Sequence, residues 1–71
     1  MNVQSALVDQ MQMIAMEAKR QNKEIAKINS QAIYDNILVI ISSNKTDAYI
    51  VANKQKINMI LKMAQDKINA M

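Results

Sequence analysis

The chain has 71 residues, a net charge of +3 from nine Lys and Arg against six Asp and Glu, and no Gly, Pro, Cys, His, Trp or Phe. The lack of cysteine excludes a disulfide framework, and without Cys or His the usual ligands for zinc and haem are missing. The same gap removes the ordinary acid–base group and thiol nucleophile of neutral-pH catalysis, so no enzyme activity, cofactor, metal or small-molecule substrate is expected.

Average usage of ~7% Gly and ~5% Pro would place about eight such residues in a chain this long. Their absence takes away the usual material for left-handed helix caps, tight hairpins and phosphate-cradling loops. The chain therefore reads as one all-α domain: a helix over about 3–41 with a bend at 29–30, a polar turn at 42–47, and a helix over about 47–70. A domain of this size buries only ~60% of its unfolded surface, and with no disulfide or metal the expected support is a partner chain.

In chain order, Leu7, Met11, Ile14, Ala18, Gln21, Ile25, Ile28 and Ala32 follow alternating steps of four and three, and all but Gln21 are apolar. This is one stripe of an amphipathic helix, suited to a bundle core or a coiled coil. Glu17 and Glu24 would face Asn22 and Asn29 rather than lysines across a parallel dimer, which favours the bundle. Asn2 or Ser5 is placed to cap the start. Lys19, Arg20, Lys23 and Lys27 form a basic face on the opposite side.

Beyond Ala32 the register changes, and Ile33, Ile37 and Ile40 begin a new stripe. The segment 42–47 (SSNKTD) is rich in residues that compete for backbone hydrogen bonds and favour turns, with Thr46 the expected cap of the next helix. That helix carries a stripe of Ile50, Ile57, Leu61, Ala64, Ile68 and Met71, and a second apolar patch of Met59, Ile60 and Met63. A competing reading turns 37–41 and 48–52 into a β-hairpin between two helices, because both runs have high β propensity. Neither run alternates apolar with polar, and a lone hairpin is marginal.

The arm lengths matter for function. At ~1.5 Å per residue, an arm after the turn reaches back only to the neighbourhood of Ala18. A two-armed hairpin would leave Leu7, Met11 and Ile14 uncovered. Either the chain bends near 29–30 into a three-helix bundle, or another chain covers the overhang. Met13 and Met16 lie off the main stripe, like the Met59 patch, and helices apolar on two sides usually have two neighbours. The candidate protein interface is thus Leu7, Met11, Met13, Ile14, Met16, Ile25, Ile28, Met59, Ile60 and Met63. Leu7→Asp or Ile14→Asp is expected to abolish association while leaving much of the helicity.

The carboxylates Asp9, Glu17, Glu24, Asp35, Asp47 and Asp66 show no metal-ligand spacing, and the serines have no base beside them. The competing function is a small basic nucleic-acid-binding regulator using Lys19, Arg20, Lys23 and Lys27 on phosphates. Against it, only Arg20 offers a bidentate fork for guanine, and no aromatic side chains interleave the basic ones for base stacking. No signal peptide is visible and no apolar run approaches the ~20 residues of a membrane span. The chain is expected to be made in the cytoplasm, with signal-independent export also compatible.

The general build resembles the small helical-hairpin proteins of bacterial type III secretion, the needle-type subunits and their co-chaperones. The likeness covers length, the lack of cysteine and a polar turn between helices. In the last helix it extends to Tyr49 through Asn53, Lys62, Asp66 and Ile68. The family's proline-bearing turn is absent, and 42–47 stands in its place. The resemblance implies a subunit that hides its apolar faces in an assembly, a homo-oligomer or a complex with another helical protein. A phage- or plasmid-encoded adaptor for a host protein fits the same features.

Overall fold

A computed structural model describes residues 2–71, which form four helices: α1 Val3–Glu17, α2 Lys23–Ser43, α3 Ala48–Ala52 and α4 Lys54–Asn69. No strand occurs among the described residues; 37–41 belong to α2 and 48–52 to α3. Of the two all-helical forms, the small bundle is the one adopted. α1 packs against α2, and α4 lies against both. The turn from α1 to α2 reverses the chain. The end of α4 returns beside the first half of α2, where Ile68 and Asn69 neighbour Lys27, Ile28 and Gln31. α1 and α4 therefore run in the same direction.

The first break falls at 18–22, not at 29–30. α1 closes with tight i→i−3 bonds, Lys19 N to Met16 O at 3.1 Å and Arg20 N to Glu17 O at 2.9 Å. The Lys23 ammonium then donates to the Ala18 carbonyl, satisfying an acceptor that the helix end leaves open. Asn22, extended at φ −80° and ψ 98°, caps α2 by accepting from Ile25 N. No described residue has a positive φ, so this reversal needs no glycine. The polar Gln21, the lone interruption of the first stripe, lies inside the break.

Asparagine does much of the punctuation. Asn2 caps α1 by accepting from Ser5 N. Asn44 ends α2 by donating to the Ile40 carbonyl at 2.7 Å. Asn53 separates α3 from α4 and donates to the Tyr49 carbonyl at 2.8 Å. The expected helix over 47–70 is thus two helices. Asp47, not Thr46, caps α3, its carboxylate accepting from Tyr49 N at 2.9 Å. Short side chains that bond to nearby backbone favour such helix ends.

The core gathers Val3, Leu7 and Ile14 from α1, Ile33 and Ile37 from α2, Ile50 from α3, and Ile57, Ala64 and Ile68 from α4. The stripe expected for the last segment is found here, with Leu61 and Met71 packed against it. On α2 the buried positions are Ala26, Ser30, Ile33 and Ile37, so the new stripe reaches a full two turns earlier than its apolar residues suggested. Ser30 is fully buried, its hydroxyl 3.5 Å from the Met71 sulfur. Small side chains at 26 and 30 admit the neighbouring helices closely. A bend at 29–30 would break the helix at a fully buried position.

Candidate functional site

The ten candidate interface residues do not form one surface. Leu7 and Ile14 are in the core, 1% and 0% exposed. The overhang expected of a hairpin is covered by this chain's own α2 and α4. Met16 and Ile28 are the most exposed, at 70% and 69%, and Met13 and Ile25 are about half-exposed. Ile28 borders a shallow depression with Lys27, Gln31, Ile68 and Asn69. Met11, Ile60 and Met63 do come together, along the outside of the α1–α4 seam.

There they line a groove of about 340 Å³ with Leu7, Val8, Gln12 and Ala15. On α1, Val8, Met11, Gln12 and Ala15 are spaced i, i+3, i+4 and i+7, which places them on one face. On α4, Ile60 and Met63 form the opposite wall. Leu7 contributes to the floor, which ties the groove directly to the core. Six of the seven lining residues are apolar. Met59, 62% exposed, lies just outside and faces the neighbouring α3–α4 junction with Val51 and Lys56. Val8, Gln12 and Ala15 were missed from sequence. They are legible only as the second face of α1, displaced from the Leu7–Ile14 stripe.

The basic candidates cluster around the α1–α2 turn. Arg20 is bound to Glu17 through two hydrogen bonds, Nε to Oε1 at 2.8 Å and a second guanidinium nitrogen to Oε2 at 2.9 Å. The Glu17 carboxylate also accepts from the Asn29 amide at 3.0 Å. With Lys23 bonded to the Ala18 carbonyl, two of the four basic groups are engaged in holding the turn. Lys19 and Lys27 are exposed.

Hydrogen bonds from Arg20, and then from Asn29, hold the Glu17 carboxyl below its ordinary range. A lowered folded-state pKa means that the contribution to stability is present above the unfolded value of ~4.3. It is lost as pH falls through the folded value. Glu17→Gln is therefore expected to lose less stability than the parent when pH drops from about 6 to about 3, measured by urea midpoints. Equal acid sensitivity in the two proteins would remove Glu17 as a source. Solvent screens the pair, since the Arg20 side chain is 47% exposed, so the difference should be small.

Among the described residues no group of three or more His, Cys, Asp or Glu converges as a metal site, and no helix is long and apolar enough to cross a membrane. Comparison with protein-family models, characterised proteins and solved structures finds no match to the chain.

Proposed function

We propose that this chain is a non-enzymatic helical interaction module whose α1–α4 groove receives one helix of another protein. The carrying observation is the groove itself: Leu7 belongs both to the core cluster and to the groove lining, and Val8, Met11, Ala15, Ile60 and Met63 continue an apolar surface outward. Val8 and Met63 are 48% and 58% exposed, and the bundle does not need them for closure. Two parallel helices flanking an apolar trough match the helix-in-groove mode of recognition, read by anchors at i, i+3, i+4 and i+7. Methionine walls suit it because their unbranched, polarizable side chains adapt to a docked surface.

An adaptor or co-chaperone role agrees better with this build than a filament subunit, whose open hairpin would leave the α1 stripe for other copies to cover. The nucleic-acid alternative is weakened by the engagement of Arg20 and Lys23 within the turn. The test is titration with a model amphipathic peptide of about 18 residues carrying leucines at helix-in-groove spacing, followed by methyl NMR. Shifts are expected at Val8, Met11, Ile60 and Met63, with Ile25 and Ile28 unmoved. No perturbation at saturating peptide, or one centred on Ile25 and Ile28, would overturn the reading.

A further inference from the structure

The charge around the groove specifies what kind of helix enters it. α4 carries Lys54, Lys56, Lys62 and Lys67 against a single acid, Asp66, and so holds as much positive charge as the net +3 of the whole chain. Among the described residues the one ion pair is Arg20–Glu17, so none of these lysines is held by a carboxylate. Lys56, Ile60, Met63 and Lys67 are spaced i, i+4, i+7 and i+11 and share one face of α4. Ile60 and Met63 are thus bracketed along α4 by two exposed lysines ~16 Å apart. Each lies about one turn outside the groove's own lining, and Lys56 also borders the α3–α4 junction.

The opposite wall does not neutralise them. Four residues before or after each lining residue of α1 and α4, no acid occurs. Asp9 and Asp66 are i,i+3 neighbours of Gln12 and Met63 at the groove's rim, but among the described residues neither forms an ion pair with Lys56 or Lys67. A basic or neutral helix in this trough would leave both lysine heads uncompensated beside a low-dielectric contact. An acidic one would meet opposite charge at each end.

We infer that the groove's occupant is an amphipathic helix of another protein, with an apolar stripe flanked by Asp or Glu about eleven residues apart, to match the ~16 Å between Lys56 and Lys67. A second copy of this chain is a poor occupant. Its acidic helix, α1, has its main apolar stripe buried in its own core and its Glu17 bound to Arg20.

The inference rests on the groove reading, and one experiment separates the two. Three peptides share the same leucine face and differ only in flanks of Glu, Gln or Lys. Binding is measured by calorimetry at low and high salt, with parent protein and with a Lys56→Glu, Lys67→Glu double variant checked for unchanged circular dichroism. The Glu-flanked peptide is expected to bind the parent about tenfold or more tighter than the Lys-flanked one, with the gap shrinking as salt rises. The double variant should reverse the order. Equal affinities for all three peptides would overturn the charge inference and leave the groove reading standing, whereas no binding by any peptide would overturn both. Displacement of the Glu peptide by anionic lipid vesicles or duplex DNA would overturn it in favour of an anionic surface. Groove-dependent dimerisation in light scattering would overturn it in favour of a second copy.

Discussion

Leu7→Asp is expected to unfold the isolated chain, not merely to release a partner. Leu7 is 1% exposed and packed in one cluster with Val3, Ile14, Ile33 and Ile37, with no cationic side chain among those neighbours. A carboxylate placed there must either stay charged without solvent or take up a proton, and either route costs several kcal/mol. The lost burial of the leucine adds roughly 1.5–3 kcal/mol. A single core in a chain below about 70–80 residues rarely supplies more than ~3–5 kcal/mol of net stability, so the substitution exceeds what the fold holds. Far-UV circular dichroism at low concentration reads the outcome as loss of most helicity. Parent-like helicity with an unchanged thermal midpoint would return Leu7 to an external interface, the role its heptad position suggests from sequence.

A paired substitution separates the two overlapping stripes on α2. Ile37→Ala is expected to cost about 2–5 kcal/mol, the range for truncating a fully buried aliphatic side chain and leaving a cavity. Ile37 is 0% exposed and belongs to the core cluster drawn from all four helices. Ile28→Ala, at a residue 69% exposed, should change stability by no more than about 0.5 kcal/mol. The same truncation at two isoleucines nine positions apart on one helix thus differs by most of the molecule's stability. Chemical denaturation of both variants measures it. A large loss at Ile28 in a monomeric sample would mean that the 25–28–32 stripe is the buried one.

These substitutions also show why the groove could not be located from sequence. Met11, Ile60 and Met63 are visible as apolar residues off or beside a stripe, but their convergence depends on α4 lying parallel to α1. That arrangement follows from a reversal at 18–22, where the sequence offers only Gln21 and the cap Asn22. Read without it, α1 and α2 fuse into one rod, Leu7 and Ile14 become an overhang, and ten apolar positions are assigned to one interface. With the reversal in place, Leu7 and Ile14 enter the core, Met11, Ile60 and Met63 line the groove whose floor Leu7 shares, and the other five remain on other outer surfaces.

The charge pattern divides in the same way. The four basic residues at 19–27 are the most conspicuous run in the chain, yet two of them are taken up by local contacts that fasten the turn, Arg20 to Glu17 and Lys23 to Ala18. The lysines of α4 draw less notice in the sequence because they are spread over nearly four turns. Folding brings Lys56 and Lys67 into line with Ile60 and Met63, and leaves them without carboxylate partners.

Helicity, an aliphatic core and the α4 stripe of Ile57, Leu61, Ala64 and Ile68 were determined by residues within a few turns of one another. Local propensity and a 3.6-residue period suffice for such features. Where the first arm breaks, and which side of α2 turns inward, were decided only by the tertiary structure. Both 25–28–32 and 26–30–33–37 run along one face of a helix, and the first is the more apolar near its start. The second is buried because Ala26 and Ser30 are small enough to let α1 and α4 close over α2. That steric fact depends on the neighbours, so periodicity along a single chain could not contain it.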